Sequence, residues 1–292
     1  MISAGLMKLR ITLEMIRFEH SIFALPFALT GAMLAVRGWP GLRELGWIIL
    51  AMVGARSAGM TFNRIADHHL DARNPRTANR ALPQKQISVG FAGIFTAIAS
   101  AVLLLAASQL HPLAFKLSPL VLVILFAYSY TKRFTHWSHL ILGFCLGMGP
   151  VGGQLALRGE VTPGVMLLGV AVMFWVAGFD MIYACQDVKF DRTAGLHSFP
   201  KSFGVQASLR ASRGLHILML AVLAAVVWVE RLGWLSVAGL VVVGILLAYE
   251  HSLVRPDDLS RVNAAFFTVN GFISVLFFAF WAADIWLMSG GA

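Results

Sequence analysis

The sequence predicts an all-α fold, a polytopic membrane bundle of about nine transmembrane helices around a central cavity. Three observations predict it. The 292 residues are 58% hydrophobic and 13% charged, whereas roughly a quarter of a soluble domain is charged. Apolar runs long enough to cross a bilayer, roughly 17 to 25 residues each, recur from end to end. Lysine and arginine gather in alternate connections, as the two faces of a membrane protein require.

The runs fall at approximately 19–36, 45–62, 88–110, 115–131, 138–157, 163–182, 212–229, 232–250 and 263–287, read as one domain over 1–292. The first follows Lys8, Arg10 and Arg17 and continues without a small-residue cleavage site, so no cleaved signal peptide is expected. Within the second, Arg56 is an ionisable group at a depth where such groups usually face a protein-lined cavity; snorkelling or a structural ion pair is the alternative. In the fifth, glycines 143, 147, 149, 152 and 153 suit close helix packing, and Pro150 invites a kink that leaves room in a central cavity. Asn263 and Asn270 in the ninth could face that cavity or bond between helices.

The net charge of +9 does not indicate nucleic acid, because its distribution follows the spans. One set of connections carries Lys8, Arg10, Arg17, Arg64, Arg73, Arg76, Arg80, Lys85, Lys132, Arg133, Lys189, Arg192, Lys201, Arg210, Arg213, Arg255 and Arg261. The opposite set holds Arg37, Arg43, Lys116, Arg158 and Arg231. The rich side is expected in the cytoplasm, with the N-terminus inside and the C-terminus outside a cell's inner membrane. The outer connections are short, but two inner ones, about 63–87 and 183–211, far exceed the usual helix–helix link. Long connections on one face commonly carry function.

Both long connections mix carboxylates with bases. Asn63, Asp67 and Asp71 stand at i, i+4 and i+8, which puts three oxygen-bearing side chains on one helical face with a drift of about 40° per step. Asp187 and Asp191 repeat the spacing, and Asp180 and Tyr183 precede them on much the same stripe. Two rows of carboxylates facing one cavity would repel unless a cation lay between them. Hard oxygen ligands suit Mg²⁺, which bridges a few carboxylates to substrate phosphates, and the neighbouring arginines and lysines suit the remaining phosphate oxygens. Each row alone also reads as a solvated helix end balanced by arginine. Tyr128 and Lys132, again i, i+4, could serve a phosphate or simply mark an interfacial belt. His68–His69, His136 and His139 lack a transition-metal pattern, and Cys145 and Cys185 read as two buried thiols.

Together, RSAGMTFNRIADHHLDARNPRTANRALP, YSYTKR and DMIYACQDVKFDRTAG resemble the three hallmark segments of the UbiA-type membrane prenyltransferases, and the resemblance covers nearly the whole chain. Its first motif, NDxxDxxxD, falls on Asn63, Asp67 and Asp71, its YxxxK on Tyr128 and Lys132, and its second aspartate motif on Asp180, Tyr183, Ala184, Asp187 and Asp191. The family's aspartate after the asparagine is Arg64 here. As the i+1 neighbour, Arg64 is expected to point away from the Asn63–Asp67–Asp71 face and leave a metal site intact. RFEHSIFALPFALTGA and the FNRI–DARNPRTANR pattern look closer to the 4-hydroxybenzoate polyprenyltransferase-like members, some of which are similar to enzymes of the alternative menaquinone route.

The resemblance implies transfer of a polyprenyl group from its diphosphate to an aromatic ring carbon. Mg²⁺ would be held by Asn63, Asp67, Asp71, Asp187 and Asp191. Lys132, with Arg73 and Arg76, would contact the diphosphate. Asp180 or Asp187, with Tyr128 nearby, would serve the acceptor's hydroxyl. Arg17 or Arg56 would hold a carboxylate on the acceptor, a small aromatic acid such as 4-hydroxybenzoate or alternatively 1,4-dihydroxy-6-naphthoate. The lipid bilayer would receive the tail. A transporter or lipid-diphosphate carrier is the competing class. It would require a site near the bilayer midplane with access from both sides, whereas these motifs crowd one face.

Overall fold

The computed structural model describes residues 4–16 and 23–290. Arg17, a candidate acceptor-binding residue, lies outside the described residues, as does the start of the first apolar run. A short helix α1 (Ala4–Met15) leads into α2 (Leu25–Val36), which begins with proline at its first turn and stops where Arg37 turns left-handed at φ 54°. The chain then runs through α3 (Leu42–Arg73), α4 (Val89–Ser108), α5 (Pro112–Thr131), α6 (Ser138–Arg158) and α7 (Pro163–Ala184). A 3₁₀ turn (Cys185–Asp187) joins α7 to α8 (Val188–Thr193), and α9 (Phe199–Phe203) precedes α10 (Val205–Val229), α11 (Trp234–Ser252) and α12 (Asn270–Met288). Hydroxyl and imidazole caps start several of them: Ser88 on α4, His111 on α5, Thr162 on α7 and Ser198 on α9.

Eight helical segments are long and apolar enough to span a bilayer. The ninth apolar helix, α2, has 12 residues, or about 18 Å at 1.5 Å per residue, short of the roughly 30 Å hydrocarbon core. The expected nine full spans are therefore eight long helices and a short one among the described residues. α2 is buried along most of its length, from Pro26 to Ala35. It is wedged against α6, α7 and α12. Phe27 stacks on Phe277 at 4.5 Å between centroids and meets Trp175 at 5.0 Å, at the heart of a core that includes Met219, Leu223, Ile273 and Trp281.

Close helix approach rests partly on the glycines of α6. A Cβ on Gly143 would fall 2.2 Å from the Met173 carbonyl oxygen, and one on Gly153 would fall 2.2 Å from that of Ala28. Gly152 differs: a Cβ there would meet nothing within 4 Å, and the residue borders a cavity. α6 is helical throughout, Pro150 included. Asn270 is an interhelical polar link, accepting from Trp175 Nε1 at 2.7 Å and donating to Glu250 Oε1 at 3.3 Å. It also donates to the carbonyls of Ala265 and Phe266, within a π-helical turn (Ala264–Val269) that precedes α12. Asn263 is exposed.

The 32 residues of α3 make a rod of about 48 Å, so its last turns run past the depth of the hydrocarbon. That excess carries Asn63, Asp67 and Asp71 into the polar edge. Beyond Arg73 the chain folds back instead of forming an open loop. The Asn74 side chain accepts from the Arg76 backbone N–H at 3.0 Å, an Asx turn, and the Thr77 hydroxyl donates to the Asp71 carbonyl at 3.1 Å. Ala81, Leu82 and Ile87 then seat under Met15 and Ile16, so the end of α1 anchors this return.

Candidate active site

Two cavities meet inside the bundle. The polar one, of about 180 Å³, is bordered by the end of α3, the return after it, the ends of α5 and α7, the start of α6, and the α8–α9 connection. The other, of about 230 Å³, is lined by alanines, leucines, methionines and glycines of α2 to α6, with Arg56 supplying the charge in that lining. Asn63 and Tyr128 border both. The polar and apolar cavities therefore adjoin, with those two side chains at their shared boundary.

The polar chamber gathers most of the residues singled out in the sequence: Asn63, Asp67, Asp71, Arg76, Tyr128, Lys132, Asp180, Tyr183, Asp187 and Asp191. Each carboxylate has a protein partner. Lys132 donates to Asp67 Oδ2, and Arg133 approaches Oδ1 at 3.5 Å. Arg80 Nη1 reaches both oxygens of Asp71 at 2.8 Å. Arg76 grips Asp187 through Nε at 2.9 Å and through Nη2, while Nη1 donates to the Tyr183 hydroxyl at 2.9 Å. Asn74 adds a bond to Asp187 Oδ1 at 3.1 Å. Ser198 donates to Asp191 at 2.6 Å, and His139 Nδ1 lies 2.6 Å from Asp180 Oδ2. Burial works to lower the Arg76 pKa, but the hydrogen bond and charge of Asp187 outweigh it, so the guanidinium is held above its ordinary value.

Two sequence expectations are corrected. Arg64 does not turn away from the metal-type face; it borders the chamber and donates to Asn63 Oδ1 at 3.4 Å. An i+1 residue is rotated by about 100°, but protein surrounds this end of α3, and a long guanidinium side chain can reach back around the rod. Arg73, two residues beyond Asp71 and so near the opposite side of the helix, is exposed and does not border the chamber. Arg80, reached only through the folded return, lies where Arg73 was expected. Asn74, His139 and Ser198 also border the chamber without having been singled out there, since turns and neighbouring helices deliver them.

The donor set fits a hard divalent cation shared with a phosphate. Its ligands are carboxylate and amide oxygens, and Asp67 Oδ1 is buried without a hydrogen bond. Among the described residues no three carboxylate, imidazole or thiol side chains form a metal cage by themselves.

Fold and site together define an apolar helical bundle in which a polar, charged chamber adjoins an apolar cavity. The sequence profile of the UbiA prenyltransferase family matches residues 24–285, and the chain belongs to that family. It is 29% identical over 266 residues to the 4-hydroxybenzoate octaprenyltransferase of Vibrio cholerae, covering 90% of this chain and 93% of the relative. It is 31% identical to the enzyme of the same name from Aromatoleum aromaticum, over 84% and 83% of the two chains. The fold matches the apo structure of a UbiA homolog from Aeropyrum pernix K1 with a TM-score of 0.83 and 36% identity, over 91% of this chain and 98% of that one. It also matches a UbiA homolog from Archaeoglobus fulgidus bound to DMAPP and Mg²⁺, with a TM-score of 0.74, 21% identity, and coverage of 94% and 98%. The protein is thus a multi-pass membrane prenyltransferase, and the transporter class is set aside.

Proposed function

We propose that this enzyme transfers a polyprenyl group from its diphosphate to the ring of 4-hydroxybenzoate, at the cytoplasmic face of the inner membrane. The observation that carries this reading is the join of the two cavities at Asn63 and Tyr128. A diphosphate fits the cationic chamber, its tail fits the apolar cavity, and the scissile C–O bond then falls at the boundary. The names of the relatives from Vibrio cholerae and Aromatoleum aromaticum favour the benzoate acceptor.

Asn63, Asp67, Asp71, Asp187 and Asp191 would hold Mg²⁺. When bound, the ion neutralises negative charge as the diphosphate departs. Lys132, Arg76 and Arg80 are positioned to bind the oxygens the metal leaves uncovered, stabilising charge that develops on the leaving group. For them to do so, their present carboxylate partners must exchange a guanidinium or ammonium for the metal. Apolar walls exclude water from the allylic cation. In this reading Asp180, which borders the chamber, takes the phenolic proton, and Asp187, clamped by Arg76, serves the diphosphate side. Tyr128 shields the reacting carbon at the join, and Arg56 holds the acceptor's carboxylate from the apolar side.

The test is product formation by purified protein with geranyl diphosphate and Mg²⁺, offering 4-hydroxybenzoate and 1,4-dihydroxy-6-naphthoate separately. Prenylated benzoate that disappears with EDTA and returns with added Mg²⁺ is the expected result. Product from the naphthoate alone would move the acceptor to the menaquinone type. No product from either, with longer diphosphates included, would overturn the acceptor assignment.

A further inference from the structure

His139 stands outside the three hallmark segments, yet it is 3% exposed and borders the polar chamber. Its two ring nitrogens have different partners. Nε2 receives the Phe199 backbone N–H at 3.4 Å, and a backbone N–H can only donate. That contact assigns the lone pair to Nε2 and the ring proton to Nδ1, which therefore donates to Asp180 Oδ2 at 2.6 Å. The opposite oxygen of Asp180 has no hydrogen-bond partner among the described residues, and the Asp180 side chain keeps 20% of its surface open.

The anchor on Nε2 belongs to a wider clasp. Three consecutive residues, His197 and Ser198 of the α8–α9 connection and Phe199 at the start of α9, each hold one part of the chamber: His197 N–H donates to the Lys132 carbonyl at 2.7 Å, Ser198 Oγ to Asp191 at 2.6 Å, and Phe199 N–H to His139. The connection thereby fixes the imidazole, and the imidazole fixes Asp180.

We infer that His139 is a positioning residue for deprotonation of the acceptor, holding Asp180 as an oriented carboxylate whose Oδ1 receives the phenolic proton. The inference rests on the proposed phenol-prenylating function. In the step, the phenolic O–H bond breaks and its proton passes to Asp180 Oδ1. The ring carbon beside the oxygen forms its bond to the allylic carbon, whose C–O bond to diphosphate breaks or has broken. The resulting dienone loses the proton from that ring carbon, the oxygen regains one from Asp180, and diphosphate and one proton leave. A hydrogen bond from Nδ1–H to Oδ2 keeps the carboxylate in the rotamer that presents Oδ1.

The test compares wild-type protein with H139L, H139A and H139N, using geranyl diphosphate, Mg²⁺ and two acceptors, 4-hydroxybenzoate and the more acidic 3-fluoro-4-hydroxybenzoate. H139L and H139A are both made so that one that fails to fold leaves the other to be read. The expected loss is about 10- to 100-fold in kcat with 4-hydroxybenzoate, while KM for geranyl diphosphate stays within about twofold. The loss should shrink with the fluorinated phenol, which needs less help to ionise. H139N, whose side-chain amide can donate from near the Nδ1 position, should recover most of the rate. A purely structural role would lower the rate equally for both acceptors and would show no rescue by asparagine; that pattern, or full kcat in H139L or H139A, overturns the inference alone. Wild-type protein that prenylates neither phenol overturns the proposed function and this inference together.

Discussion

Two regions of this molecule bury carboxylates, and they do so to opposite ends. At the end of the bundle away from the polar chamber, Glu230 is bound by Arg37 through Nη2 and through an Nη1 bond of 2.9 Å to its carbonyl, and receives the Thr162 hydroxyl at 3.3 Å. Asp284 nearby accepts the Gly233 N–H at 2.6 Å and the Ser236 hydroxyl at 2.7 Å. Neither carboxylate lines either cavity, and the backbone is pressed against both: a Cβ on Gly164 would fall 1.8 Å from Glu230 Oε1. In the polar chamber Asp67, Asp71, Asp187 and Asp191 are likewise paired, but around an open space, and Asp67 Oδ1 lacks a hydrogen bond. Pairing does not distinguish a site from a structural tie. Residual space does.

The largest expected effect comes from D67N. Asp67 holds a buried oxygen without a hydrogen bond, an arrangement that costs stability, at the edge of an open chamber. D67N should lower kcat/KM by about 10³-fold or more through loss of a metal and diphosphate contact. The melting temperature should hold or rise, because Lys132 keeps 34% of its side chain open and can be resolvated. Equal falls in activity and melting temperature would erase the contrast between the two regions.

E230A should show the reverse. It removes a carboxylate whose side chain is 6% exposed and which receives charged and neutral donors. A loss of about 3 kcal/mol in stability is expected, read as a lowered midpoint of thermal unfolding in detergent. Turnover per folded molecule below that midpoint should stay within about twofold, within the usual scatter for substitutions remote from a site. A specific loss of turnover would make the Glu230 network part of the enzyme's working machinery.

The helical period makes much of this readable in advance. Asn63, Asp67 and Asp71 project into one chamber because four residues advance the helix by little more than a turn, and Tyr128 with Lys132 follows the same rule. The same rule, applied one step further, separates Arg73 from Asp71 by just over half a turn and accounts for its exposure. Arg80, Asn74, His139 and Ser198 obey no local period. An Asx turn aims the first return over the site, and a separate connection brings Ser198 to Asp191. Arg64 fails for another reason, since helical position fixes where a side chain starts and not how far a guanidinium reaches. The short α2 is a third case: an apolar run of spanning length includes residues before the helix begins.

The smallest effect should come from the apolar side of the join, at Gly152. This glycine borders the apolar cavity, and a Cβ there would meet nothing within 4 Å, unlike Gly143 and Gly153 on the same helix. G152L should therefore fold normally and place its side chain in the space assigned to the prenyl tail. With geranyl diphosphate the rate should change by less than about threefold, whereas a longer diphosphate such as farnesyl should lose about 10-fold in kcat/KM, the loss set by how much apolar tail is displaced. The ratio between the two diphosphates is the informative quantity, because it cancels any general loss of activity. If the ratio stays at the wild-type value while G152L remains folded, the tail does not run past α6, and the apolar cavity must be assigned to something other than the donor.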